Sequence, residues 1–399
     1  MKVKLGEVCS SIYDGDHSAP PKSESGIPFV TITNIDASDG TVDFSDTAFV
    51  PEEYYDSLKA ERKPRLGDVL YSVVGSFGIP SLVKSNKRFV FQRHIAILRP
   101  SERIDSTYLY YVLKDASFYH WADAVAIGSA QRTVTLGQLR NKEVDLPDLE
   151  TQRRITGVLS AYDKLIENNR KQIKLLEEAA QRLYKEWFVD LKFPGHETIP
   201  IVNGLPEGWE KKMVDEVFCV SIGKTPPRKE TQWFSHEGMA WASVSDLGKC
   251  DSFLLKTAEC LTEEAIDRFN VKVVPEGTIL LSFKMTIGRV AIAANDMCTN
   301  EAIAHFKTND AYLIPYAYGY FSNYEYNSLG STSSISTAIN SKIVKAMPFV
   351  VPSQDVLLKY NRLSSPLLNE SRVLSQQIAA AREARDRLLP KLMSGEIKV

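Results

Sequence analysis

The chain states one sequence pattern twice, and no other feature limits its possible folds as strongly. "GEV" at 6–8 is answered by "DEV" at 215–217, and "IPFVTITNID" at 27–36 by "MAWASVSDLG" at 239–248. "VPEEYYDSL" at 50–58 aligns with "LTEEAIDRF" at 261–269, and "RLGDVLYSVVGSFGIPSLV" at 65–83 with "VPEGTILLSFKMTIGRVAI" at 274–292. "IGSAQRTV" at 127–134 faces "LGSTSSIS" at 329–336, and "LIENNR" at 165–170 faces "LLNESR" at 367–372. Each match is weak alone. Six in the same order indicate a duplication with a period near half the chain.

Each half has the same internal grammar. Short alternating strands broken by Gly and Pro come first, such as "PFVTI", "DVLYSVV" and "HIAIL". A Tyr-rich helical piece follows, "STYLYYVLKDASFYHWA" or "IPYAYGYFSNYEY". Then come a Gly-Ser loop, a short strand ending in Pro, and a long helix. In the first long helix, apolar residues recur at Ile155, Leu159, Tyr162, Ile166, Ile173, Leu176, Ala180, Leu183 and Trp187. Steps of three and four make a helical seam. Asn169 interrupts it, as a register-setting polar residue does. The second gives Leu367, Ser371, Leu374, Ile378, Ala381, Arg385, Leu388 and Leu392. Ser365 and Pro366 suit an N-cap and first helical position, so the second helix starts or kinks there. Neither helix can bury its stripe alone. The expected solution is a pair, and the alternative is two amphipathic helices each packed on its own globule.

The predicted fold is therefore mixed α/β: two similar α/β domains separated by two long helices packed as an antiparallel coiled coil, a pseudo-twofold repeat. The expected boundaries are 1–146 for the first domain, 147–191 for the first helix, 192–210 for a Gly- and Pro-rich linker, 211–352 for the second domain and 353–399 for the second helix.

Composition excludes several classes. Five cysteines are scattered and form no C-x-x-C pair, which fits neither a zinc site nor a disulfide framework and points to a reducing cytoplasm. No run of 18 apolar residues occurs, so no membrane span is expected. The net charge of −2 rules out a wholesale basic coat but not local basic patches.

Five segments resemble a known family. "SIGKTPPRKETQWFSHEGMAWASVSDL" (221–247), "GTILLSFKMTIGRVAI" (277–292) and "CTNEAIAHF" (298–306) are similar to the start and later signatures of a DNA target-recognition domain. "GSAQRTVTLGQLRNKEVDLPDLETQRRI" (128–155) and "LYKEWFVDLKFP" (183–194) resemble the passage into a spacer helix and that helix's ending. The family is the specificity (S) subunit of Type I restriction–modification enzymes, and the resemblance spans essentially the whole chain. Two departures stand out: the second Gly-Ser loop lacks a counterpart of Gln131, and the second spacer carries Pro366. The resemblance implies two domains that each read part of a split, asymmetric site in double-stranded DNA. It implies spacer helices that hold them a fixed distance apart and dock two methyltransferase (M) subunits, with restriction (R) subunits joining. No cofactor is then expected in this chain; S-adenosylmethionine belongs to the M subunit, and ATP and Mg to the R subunit. Residues 152–189 as a helix would span ~57 Å, against ~34 Å for one turn of DNA.

Catalytic motifs are missing. "SAPPKS" and "KTPPRK" lack the acid or amide before Pro-Pro and the aromatic after it that an adenine methyltransferase needs. "GKT" at 223–225 has Phe218 where a phosphate loop needs its first Gly. Glu61-Arg62-Lys63 and Glu210-Lys211-Lys212 have part of a nuclease's form, which charged turns also produce. The six histidines show no ligand spacing. Base reading instead needs Arg, Lys, Asn, Gln, Ser or Thr in loops. The first half offers Lys22; Arg62, Lys63 and Arg65; Lys84, Lys87, Arg88, Gln92 and Arg93; and Ser129, Gln131, Arg132 and Thr133. The second offers Lys224, Thr225, Arg228 and Lys229; Lys284 and Thr286; and Ser331, Thr332 and Ser333. The plain alternative for each run is a solvated loop. The chain is thus expected to be a non-catalytic DNA-specificity subunit. Two rivals stand beside it: a methyltransferase or nuclease with its own recognition domains, and a coiled-coil interaction scaffold.

Overall fold

The computed structural model describes residues 1–129, 131–329 and 339–399. The chain divides into two compact units, residues 1–166 with 380–399 and residues 167–379.

In the first unit an antiparallel sheet runs in the order Cys9–Asp14, Ile95–Pro100, Val69–Ser72, Pro80–Leu82. Val69–Ser72 is buried at all four positions. The reason is its two covered faces. Val69 and Tyr71 join the core beneath the helices, while Leu70 joins a second core with Val30, Phe89, Ile95 and Ile97. Side chains alternate between faces, so a strand covered on both sides reads as an unbroken apolar run. A smaller sheet joins Ala48–Val50, Ile27–Val30 and Val90–Phe91, the last two parallel. The Tyr-rich segment forms helices Ser106–Lys114 and Ala116–Val125, capped by Asp105 and Asp115. Tyr108, Tyr110, Tyr111 and Phe118 are buried there, so these aromatics are core.

The second unit repeats this plan. Its main sheet runs Cys219–Ile222, Ile303–Lys307, Ile279–Ser282, Val290–Ala293, Phe253–Leu254. Ile279 and Leu281 face one core and Leu280 another. Met239–Ala242 runs parallel to Cys298–Thr299, as Ile27–Val30 does to Val90–Phe91. The duplication reaches single bonds. Thr31 and Asn34 form a capping box, and so do Ser243 and Asp246. Ser72 Oγ accepts from the Ile79 N–H at 2.8 Å, and Ser282 Oγ from the Arg289 N–H at 3.0 Å.

The first long helix runs Leu149–Tyr184 and continues as a π-helical turn, Lys185–Val189. The second runs unbroken from Gln354 to Met393. The expectation that it starts or kinks at Pro366 is therefore corrected as to the start: Pro366 lies inside the helix and is exposed. A proline there leaves only the carbonyl four residues back without its donor.

The two helices are antiparallel neighbours within each unit. In the first, Asp163 meets Arg385 at 2.6 Å. In the second, Asn169 Nδ2 donates to Gln377 Oε1 at 2.9 Å, and the Trp187 and Tyr360 rings lie 5.7 Å apart. Residue numbers climb on one helix as they fall on the other. Ile155, Leu159, Ile166, Asn169, Ile173, Tyr184 and Trp187 are buried on the first. On the second the buried face passes through Leu368 and Leu389, one residue beyond the expected Leu367 and Leu388. The segment after the first helix is anchored by aromatic packing: Phe193 and Trp209 lie against each other at 5.2 Å, and Phe188 lies 5.8 Å from Trp209.

Candidate nucleic-acid interface

Antiparallel strands bring their connecting loops to the ends of a sheet, and in both units one end gathers the polar loops. In the first unit the Gly15 N–H donates to the Ile95 carbonyl at 3.3 Å, and Asp16 bridges Gln92. The Val73 N–H donates to the His94 carbonyl at 2.8 Å, and the Gly75 N–H to the Arg132 carbonyl at 3.0 Å. Thr133 bridges both Val74 and Ile127. The loops after Asp14, after Ser72, before Ile95 and around 127–133 thus form one surface. It carries Gln92, Arg93, Ser129, Gln131, Arg132 and Thr133.

Charge on this surface is partly tied down. Arg62 lies 3.3 Å from Asp16 and 3.7 Å from Asp14 and is half-buried, so it fixes the loop at 14–16. Arg132 pairs with Asp123 at 2.5 Å, both about half exposed, and stacks over Phe77. Exposed pairs contribute only about 0–1 kcal/mol, so a phosphate can replace such a carboxylate at small cost. Arg93 and Lys22 are exposed and hold no ion pair among the described residues. Burial, then the Arg93 charge, lowers the His94 pKa.

Other candidates sit elsewhere in the unit. Lys63 and Arg88 converge on Tyr55, at 5.0 and 5.6 Å from its ring, and Arg88 pairs with Glu52 at 3.1 Å. Lys87 covers Phe44 at 4.0 Å. Lys84 is exposed beside them in the chain. Arg65 is at the opposite end of the sheet, where it lines a hollow of about 380 Å³ with Arg99 and Arg153. The structure does not bring it to the polar loops.

The second unit builds the same surface with other side chains. The Gly223 N–H donates to the Ile303 carbonyl at 3.1 Å, Lys224 N–H to Thr299 at 2.9 Å, and Phe283 N–H to Ala302 at 2.9 Å. Thr225 bonds Glu301 through side chains. Lys224, Lys284 and Thr286 are exposed on these loops. Arg228 pairs with Glu259 at 2.8 Å and covers Phe234 and Trp241 at 4.3 and 4.5 Å; Lys229 beside it is exposed. Ser331, Thr332 and Ser333 lie outside the described residues.

Two residues of these surfaces were not among the sequence candidates. Phe77 stacks on Tyr119 at 6.1 Å beside the first surface, and Gly78 is the residue that permits it, since a Cβ there would strike the Tyr119 ring. Met285 stands between Lys284 and Thr286, but its side chain offers no hydrogen bond. A spaced glycine pair around an aromatic was the available signal for the first.

His305 lies in the second core, not on the surface. Its Nδ1 is 3.0 Å from Ser221 Oγ and its Nε2 2.7 Å from Thr299 Oγ1. Burial, helped by the Lys307 and Lys272 charges, pushes its pKa down to about 3. An unfolded histidine titrates near ~6.5. Below that pH the unfolded chain takes up a proton that the folded one refuses, so stability falls as pH drops from ~6.5 toward about 3. Between about pH 6.5 and 4.5 the chain is expected to lose about 2 kcal/mol more than a His305→Gln variant, compared by urea unfolding. Parallel losses would show that His305 is not the buried neutral group.

Comparison with known proteins accords with this geometry. The family model described as the Type I restriction modification DNA specificity domain matches residues 1–178 and again 206–356. The Type I restriction enzyme MjaIX specificity subunit of Methanocaldococcus jannaschii is 28% identical over 315 residues, 75% of this chain and 71% of that one. The putative MjaX specificity subunit of the same organism is 24% identical over 417 residues, covering 99% of this chain and 93% of the relative. The HindI specificity subunit of Haemophilus influenzae is 20% identical, covering 85% and 88%. In fold, the crystal structure of the S subunit from M. genitalium is similar with a TM-score of 0.58 at 15% identity, over 98% of this chain and 95% of that one. Two matched specificity domains, two copies of one α/β fold and a long helix following each place this chain in the family of Type I restriction–modification specificity subunits, whose members are the recognition component of the enzyme and not its catalyst.

Proposed function

We propose that each unit reads one half of a split, asymmetric site in double-stranded DNA. The observation that carries this is a single loop scaffold built twice with different side chains. Gly15-Asp16-His17 in one unit stands where Gly223-Lys224-Thr225 stands in the other, and Gln92-Arg93-His94 where Asn300-Glu301-Ala302 stands. Equal backbones with unequal donors and acceptors suit two different base sequences. Under this reading Gln131, Arg132, Lys224 and Lys284 contact the DNA from those loops, with Lys22 and Lys229 available to phosphates.

The long helices are the assembly element of this proposal. Each runs without a break through the boundary between the two units. Their mutual seam leaves apolar side chains over: Leu165 is 43% and Leu175 65% exposed on the first, and Leu363 52% and Val373 43% on the second. Such positions fit docking of two methyltransferase subunits, to which restriction subunits add. S-adenosylmethionine, ATP and Mg would act in those partners. Among the described residues no helix is long and apolar enough to cross a membrane; a cytoplasmic setting completes the proposal.

Exchanging residues 1–146 for the first domain of another family member, in the assembled complex, is expected to change one half of the methylated motif and leave the other as it was. Methylation mapping reads this directly. A change in both halves would overturn independent reading by the two units.

A further inference from the structure

We propose that Met285 is an apolar base-reading residue of the second unit, pressing its thioether side chain against bases of that unit's half-site. The proposal rests on the DNA-reading function above and adds a residue that polar-contact reasoning passes over.

Met285 is 88% exposed, more than any other large apolar side chain among the described residues. Its backbone has φ of 64°, in the left-handed region. Side chains other than Gly, Asn and Asp enter that region at a cost, and an unexplained case at a surface loop is a pointer to function. The duplication supplies an internal comparison. The matching turn of the first unit has Gly75 at this place, with φ of 72°. The turns are otherwise alike: Gly78 and Gly288 have φ of 95° and 89°. Their N–H groups donate to the Ser72 and Ser282 carbonyls at 3.0 and 2.9 Å.

The turn therefore asks for a left-handed residue, and the first unit answers with the one that fits without strain. The second unit keeps a long side chain there, and that side chain gains no burial in return. Lys284 and Thr286 flank it, both exposed, on the loop that leaves the sheet beside Thr225 and Glu301. Methionine is unbranched and polarizable and moulds itself to a flat apolar surface. On DNA that surface is a thymine methyl in the major groove or an opened base step.

The test uses the chain assembled with its methyltransferase subunits, measuring affinity for the cognate duplex and for one with the second half-site scrambled. Met285→Gly is expected to weaken cognate binding at least about 5-fold, leave scrambled binding within about 2-fold, and leave Tm unchanged or raise it by roughly 2 °C. Met285→Leu should retain most of the affinity. Uracil in place of each thymine of that half-site tells the two surfaces apart: a loss confined to the native chain marks a thymine methyl, and no loss marks a base step. Cognate affinity unchanged in Met285→Gly, or an equal fall on both duplexes, would overturn the proposal. A native complex that does not prefer the cognate duplex would instead overturn DNA reading by the second unit.

Discussion

Replacing Arg385 with alanine is expected to destabilise the first unit by about 3–5 kcal/mol. Arg385 is 1% exposed. Its guanidinium lies 2.6 Å from Asp163 on the first long helix and 2.8 Å from Asp386 on its own. Asp163 also accepts from the Tyr111 hydroxyl at 2.5 Å. Close by, Tyr110 donates to the Asp39 carbonyl at 2.7 Å and accepts from Lys114 at 2.9 Å. Removing the cation leaves the Asp163 carboxylate, 19% exposed, with the Tyr111 hydroxyl as its remaining partner, and that poorly compensated charge is the main cost. Burial, and secondly the Arg385 charge, hold the Lys114 pKa down to about 8, so the same variant should let it rise. Urea unfolding of the first unit's transition measures the loss. The paired replacement Arg385→Met with Asp163→Leu should recover most of it, because it removes both charges together. A loss below about 1 kcal/mol for Arg385→Ala would show the cluster to be no stronger than a surface pair.

Removing one heptad from each long helix is expected to shorten the gap between half-sites by about three base pairs. A heptad of helix is ~10.5 Å, and DNA rises ~3.4 Å per base pair. The observed contact between Asn169 and Gln377 sets the matched stretches as 170–176 and 370–376, which keeps that contact and the phase of the seam. The second deletion also removes Arg372, which grips Glu276 at 2.5 Å and the Ala294 carbonyl at 3.2 Å. Arg372→Ala alone is the control; it should lower stability without changing the gap. Removing two residues per helix should rotate Ile166 and Asn169 out of phase with Ile173 and prevent folding. Methylation mapping reads the outcome. An assembled complex with shortened helices and an unaltered gap would show that the helices do not set the spacing.

Much of the fold was legible because it rests on local, periodic signals. The steps of three and four between Ile155 and Trp187 are set by the pitch of a helix, whatever packs against it. The two copies of strand, Tyr-rich helix and long helix appear as duplicated text. Motifs that were missing, such as an acid or amide before "PP", argued against catalysis without any coordinates. Pro366 misled because a proline after a serine is a start signal locally. Here packing at Tyr360, Ser364 and Leu368 holds the helix through it, and its ring points to water.

The candidate interface was legible by residue type but not by place. Arg62, Arg65 and Arg132 look alike in the sequence. One locks a loop through Asp14 and Asp16, one sits at the far end of the sheet, and one stands among the gathered polar loops. That sorting depends on which loops the strands bring to the same edge, and strand pairing joins residues as distant as Gln92 and Asp16. Arg385 stood in the second helix's stripe with no partner to be named for it, and His305 had no ligand spacing. Only the folded chain supplied Asp163 for the one and the hydroxyls of Ser221 and Thr299 for the other. The sequence by itself determined the duplication and the long helices of this protein, since these follow from the period of the repeat and the pitch of a helix. Tertiary structure alone decided which charges stand exposed and which are held by carboxylates, because burial and Coulomb energy depend on distances between residues far apart in the chain.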